Sequence, residues 1–158
     1  YKLFTHQHLH EICQTLNELR PQDAPAVVYT LDNEFDDIEA KGISLDFIPY
    51  RGDFPRGIFC TEVVTLDDKA DAAEIVALYK AFYADAAFTH YSDKPLDLKQ
   101  VVNTNKALVH VDVFGKKIVI TSIIDNLLKG AVGQALQNMN IMFGMDEHTG
   151  LNLKASAF

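Results

Sequence analysis

The chain has 158 residues, about one domain's worth, and its 48% hydrophobic content is that of a folded globule. The 14 basic and 22 acidic residues leave a formal charge of −8, which argues against a nucleic-acid or anionic-membrane surface while leaving room for a local basic pocket. No apolar run approaches the ~18 residues of a membrane span, and Cys13 and Cys60, without a CxxC, fit a reducing cytoplasm rather than a disulfide framework.

Tyr1–Phe4 reads as a short strand. His6, His8 and His10 lead into a helix from about Glu11 to Leu19, with Ile12, Leu16 and Leu19 on one face, and Arg20-Pro21-Gln22-Asp23 ends it. Ala26–Leu31 is a strand candidate. Asp32–Lys41 carries five acidic residues without the spacing or turn glycine of a calcium loop, and reads as a solvated loop or short helix. Ile43–Tyr50 is another strand candidate, followed by the turn-rich Arg51–Pro55 and the β-rich Gly57–Leu66. Arg51-Gly52-Asp53 spells an adhesion tripeptide that a cytoplasmic chain has no use for. Asp67 or Asp68 caps a helix to about Tyr83, with Ala72, Ile75, Val76, Tyr79, Phe82 and Tyr83 as its apolar stripe. Ala87–Tyr91 is a short strand, and Asp93–Gln100, with Pro95, is a linker.

Ala107–Phe114 and Lys117–Ile123 flank Gly115-Lys116, a two-residue hairpin turn. In that register Val113 faces Ile118 and Val111 faces Ile120 on an apolar face, while Asp112 with Val119 and His110 with Thr121 make a mixed one. Helices set among mostly hairpin-linked strands predict an α+β fold, a mixed and largely antiparallel sheet with helices packed on one face. The last helix is expected over Asn126–Phe143, about 27 Å long, capped by Ser122 or by Asp125. Its apolar residues Leu128, Val132, Ala135, Met139 and Met142 recur at helical spacing and should be buried against the hairpin. Gly130, Ala131, Gly133 and Ala135 leave almost no side chain over a turn and a half, so something should pack very close. The amides Gln134, Gln137 and Asn138 lie to one side of the apolar face.

The run IIDNLLKGAVGQALQNMNIMFG resembles, nearly residue for residue, the last helix of the N-acetyl-γ-glutamyl-phosphate reductases. The resemblance implies an NADP-dependent acyl-phosphate reductase of arginine biosynthesis, and a fold like the C-terminal domain of glyceraldehyde-3-phosphate dehydrogenases. The family also needs a nucleotide-binding domain and a cysteine in a Gly-Cys-Tyr-Pro setting. This sequence has neither, nor a GxGxxG turn. The resemblance therefore implies that residues 1–158 are the substrate-binding and dimerisation domain of a larger chain. Its partners would be N-acyl-γ-glutamyl phosphate, its own nucleotide-binding domain and further copies of itself, with no nucleic acid and no membrane.

Thr5-His6-Gln7-His8-Leu9-His10-Glu11-Ile12 resembles the family's His-Arg-His-Thr-Pro-Glu-Ile, with Leu9-His10 in place of Thr-Pro. The resemblance assigns the acid/base to His6, with His8 second, a role suited to an imidazole that changes charge near neutral pH. Two other readings stand beside it: histidines lining an exposed edge, or a metal site on one strand face shared by His6, His8 and His10, for which no carboxylate partner stands out. Phe47–Ile58 resembles the family's Phe-x-Pro-His-Leu-x-Pro-Met-x-Arg-Gly-Ile, which brings out Arg56 as a fork for phosphate or carboxylate, or as a strand-start ion pair. Thr104-Asn105 sits where the family carries Thr/Ser-Asn and would bind substrate. Lys129, early in the last helix, would hold a phosphate. Gly130, Gln134 and Asn138 would face the cofactor NADP, Gln134 toward the nicotinamide carboxamide. Residues 21–42 match nothing recognisable in the family. Rival readings are a cysteine enzyme using Cys60 and a non-catalytic assembly or regulatory domain.

Overall fold

The computed structural model describes residues 6–29 and 42–156. The expected strand at Tyr1–Phe4 and the acidic run Asp32–Lys41 lie outside them. The chain divides into two compact units, Tyr1–Asp53 and Phe54–Phe158.

In the first unit, helix α1 spans His8–Leu19, and strands β1 (Val27–Val28) and β2 (Ile43–Ser44) form a small parallel pair. The helix begins three residues earlier than its sequence suggests, so His8 and His10 are helical. They point ~200° apart, and the strand face that would have gathered three histidines around a metal is not formed. The buried face of α1 also differs from the predicted one: Leu9 and Cys13 are buried, whereas Leu16 and Leu19 are exposed. The reason is Asn17, whose amide donates to the Val27 carbonyl and accepts from the Val27 N–H, docking β1 against that side of the helix. The last ladder bond of β2 runs from Leu45 N to Val28 O, and further on Pro49 has no N–H to donate.

The second unit carries β3 (Ile58–Thr65), α2 (Ala72–Phe82), β4 (Thr89–Tyr91), β5 (Ala107–Phe114), β6 (Lys117–Ile124) and α3 (Gly133–Met142). Its sheet runs β3-β6-β5-β4, antiparallel except for the β4–β5 pair, so the fold is α+β with a mixed, largely antiparallel sheet, as expected. The β5–β6 hairpin holds the register read from the sequence, with Val113 opposite Ile118 and Val111 opposite Ile120. Gly115 turns it at φ +65°, a conformation that costs glycine nothing. On the face carrying Val109, Val111 and Ile118, all buried, lies α2, whose Tyr79 feels the Glu62 carboxylate of β3. The cap of α2 is Asp71, accepting from Ala73 N, rather than Asp67 or Asp68. Phe82 and Ala72 of its predicted stripe point to solvent.

On the other face a cluster of Leu98, Val101, Val102 and Ile123 is buried. Leu98–Gln100, read as linker, is a turn of 3-10 helix fixed by a capping box between Asp97 and Gln100. The outer part of this face stays open: Phe59, Val63 and Phe114 are exposed on it.

The last helix is where sequence and structure part. It is not one straight α-helix: Leu128–Val132 is a π-helical turn, with Gly130 N bonding Asp125 O and Val132 N bonding Leu127 O, and the α-helix begins only at Gly133. Its predicted core face is turned outward. Val132 is 63% exposed and Met142 80%, Met139 and Ala135 are exposed too, and Leu128 is half-buried. Buried instead is the line Gly133, Leu136, Gln137 and Asn140, wholly or in part. The chain's own return covers it: Asn140 Nδ2 donates to the carbonyls of Glu147 and Thr149, Met145 N donates to Asn140 O, and Gly150 packs on Leu136. The expectation of very close packing holds at Gly133, where any Cβ would run into Asn105 Oδ1 and the Leu128 carbonyl.

Candidate active site

The histidine motif builds its geometry within the first unit. His8 Nδ1 meets Glu11 Oε2 at 2.7 Å, one helical turn apart, so the carboxylate orients the imidazole. The His8 N–H donates to His6 Nδ1 at 3.3 Å, and the His6 ring lies 4.8 Å from that of His8 and 5.3 Å from Phe47. A neutral His6 that accepts at Nδ1 carries its proton on Nε2. His10 turns away to the Tyr29 hydroxyl. Glu11 was matched in the sequence only as part of the motif; its role as the partner of His8 appears once both stand on the same helix.

In the second unit Asp125 is fully buried and gathers the approach to the last helix. Its Oδ1 accepts from Arg56 Nη2 at 2.7 Å, Leu127 N at 2.8 Å and Leu128 N at 3.0 Å, and its Oδ2 accepts from Asn103 N at 2.7 Å. Burial alone would raise this carboxyl. Arg56 and the three amides outweigh it and hold Asp125 below the usual carboxylate range. Asp125 is thus the cap, and Ser122 stays in β6. Arg56 takes up the ion-pair role that stood as its alternative, although its buried Nε has no hydrogen-bond partner among the described residues.

Gln137 is the centre of a second network. Its Oε1 accepts from Lys129 Nζ at 2.8 Å and from Asn105 Nδ2 at 3.0 Å, while its Nε2 donates to Glu147 Oε1 at 2.6 Å. Burial pulls Lys129 below its ordinary value, and the nearby Glu147 charge pulls it partly back. The π-turn makes this network possible, because it inserts a residue between Lys129 and the helix and so changes which side chains share a face. Thr104 is buried, its hydroxyl donating to Val101 O and accepting from Lys106 N, which makes it a brace for the turn before β5. Asn105 is buried against Gly133. Gly130, Gln134 and Asn138 are exposed. Gln137 stands among the amides that the sequence singles out, whereas Glu147, beyond the helix end, has no periodic signal to mark it.

Cys60 does not have the setting of a nucleophile. Burial, then the Glu62 carboxylate, pushes its thiol above the ordinary range, the reverse of activation.

A sequence profile of the family described as semialdehyde dehydrogenase, dimerisation domain, matches residues 1–126. The chain is 52% identical over all of its 158 residues to a protein named N-acetyl-gamma-glutamyl-phosphate reductase from Bacteroides fragilis, covering 43% of that relative. It is 50% identical to the reductase so named from Phocaeicola vulgatus, again covering 43%, and 46% identical to that of Flavobacterium johnsoniae, covering 42%. The chain spans about two fifths of the length of these curated relatives. Profile and whole-chain identity agree: the chain belongs to the semialdehyde dehydrogenase dimerisation-domain family.

Proposed function

We propose that residues 1–158 are the substrate-binding and dimerisation domain of a cytoplasmic, NADPH-dependent N-acyl-γ-glutamyl-phosphate reductase of arginine biosynthesis. The observation that carries this reading is the 52% identity along the whole chain to a protein named as such a reductase. A thiolate from the remainder of the parent attacks the acyl carbon of N-acyl-γ-glutamyl phosphate, the C–O bond to phosphate breaks, and a thioester remains. The chemistry NADPH supplies when bound is hydride for reducing that thioester to N-acyl-glutamate semialdehyde.

The residues of this chain handle protons and anions. His6, or His8 in its place, gives a proton to the carbonyl oxygen as charge develops there and recovers it when the thiolate leaves. Glu11 and the His8 amide orient the pair. Lys129 holds phosphate from the π-turn, Arg56 fixes the approach to that turn through Asp125, and Thr104 and Asn105 shape the loop behind them. The exposed amides Gln134 and Asn138, beside the side-chain-free Gly130, suit the carboxamide of the nicotinamide, offering both donors and acceptors.

The reading is tested with the parent enzyme and with the chain alone. Parent carrying this domain should oxidise NADPH when given N-acetyl-γ-glutamyl phosphate, and the purified 158-residue chain should not. Absence of turnover in the parent, or turnover by the chain alone, would contradict it.

A further inference from the structure

Between the β4 edge of the second unit and the chain's C-terminal return lies a cavity of about 250 Å³. That is many times the ~10–15 Å³ a single water needs and smaller than the ~300–1,000 Å³ of sites for drug-sized ligands. Its composition is two-sided. The buried side chains of Phe88 and Leu151 provide an apolar floor, and His90, Lys106 and His148 provide a basic rim with the amide of Asn152. Among the described residues, none lining it is acidic.

The cavity is held in shape from both sides. The backbone bond from Ala107 N to Phe88 O pins the strand edge, and Lys106 N donates to the buried Thr104 hydroxyl. On the other side Leu151 N bonds His148 O, Asp146 Oδ1 accepts from His148 N, and the His148 ring rests 5.0 Å from that of Phe88. Asp146 Oδ1 also lies 3.1 Å from His148 Nδ1, which orients the imidazole, and Lys106 brings an ammonium to the rim. Lys106 is close enough to His90 that its charge adds to burial in disfavouring the imidazolium. Gathering basic groups around an apolar floor costs electrostatic energy in the empty protein, and a bound anion offsets that cost.

We propose that this cavity binds a small organic carboxylate, with its carboxylate at Lys106 and the imidazoles and a short hydrocarbon portion on Phe88 and Leu151. The proposal concerns residues to which the reductase reading gives no role, except for Thr104 beneath them, and it does not depend on that reading. The test is a titration of the folded chain with butyrate, followed by NMR through the ring signals of His90 and His148 and the amides around them. Butyrate should give saturable shifts confined to these residues and bind more tightly than acetate, which lacks the hydrocarbon. It should also move the His90 titration upward, because a bound anion favours the charged imidazole. Butanol, of the same shape without charge, should give none. Lys106→Gln, at an exposed position, should weaken butyrate by about tenfold, as expected for loss of a charge-assisted contact, while leaving the rest of the spectrum unchanged. Linear, unsaturable shifts would overturn the proposal, as would equal binding of butyrate and butanol, equal binding of butyrate and acetate, or an unaltered affinity in Lys106→Gln.

Discussion

At the scale of single residues, the chain's polar groups decide what its apolar groups do. Asp125 has one carboxylate to satisfy a guanidinium and three backbone amides, so its replacement leaves four donors at once without their acceptor. Asp125→Ala should cost about 3 kcal/mol, the lower end of the range for breaking a buried pair because Arg56 keeps some access to water. Chemical denaturation of the chain checks it. The pH dependence has a defined sign. The folded carboxyl is depressed, so its contribution is present above the unfolded value of about 3.9 and fades as pH falls through the folded one. Wild-type stability should therefore drop below about pH 4 more steeply than that of Asp125→Asn, measured by urea midpoints across that range. Part of this was legible: the sequence offered Asp125 as an alternative cap and Arg56 as an ion-pair candidate. That they pair with each other, 69 positions apart, is a tertiary fact no local pattern encodes.

Among the elements, the β5–β6 hairpin and the last helix show what a sequence does and does not disclose. The hairpin's register follows from a glycine turn and strict alternation, both local, and every cross-strand pair falls where that logic puts it. The last helix carries an equally regular apolar stripe, yet the stripe faces out. What covers the helix is the return at residues 145–151, and that segment has no period to read; it recognises Asn140 through two backbone carbonyls. The consequence reverses the expectation from periodicity. Val132→Asp should leave the thermal midpoint of the chain within a degree or two, since a charge at an exposed site costs little. Asn140→Ala should lower stability by about 1–3 kcal/mol, because the carbonyls of Glu147 and Thr149 lose the buried amide that donates to both. Both are read from melting curves of the purified variants.

At the scale of the whole molecule, two features call for partners: the open part of the sheet face with Phe59, Val63 and Phe114, and the outward stripe of α3. A face of this kind is a site of association rather than ordinary surface. The family description, a dimerisation domain, makes a second copy of the chain the occupant to test on the sheet face. If copies of the chain meet through this face, Val63→Lys should lower the sedimentation coefficient while circular dichroism stays unchanged; an unaltered sedimentation coefficient would place any self-association elsewhere. On the proposed function, the His6-Gln7-His8 motif moves protons for an acyl-phosphate reductase. The measurement that tests it most directly is kcat of the parent enzyme with His6→Asn, and with His8→Asn beside it, at saturating N-acetyl-γ-glutamyl phosphate. His6→Asn should lower kcat ~10²–10⁴-fold with KM little changed, and His8→Asn should cost less; the reverse ranking would exchange the two roles, and an unchanged kcat in both would rule out a proton-transfer role for the motif.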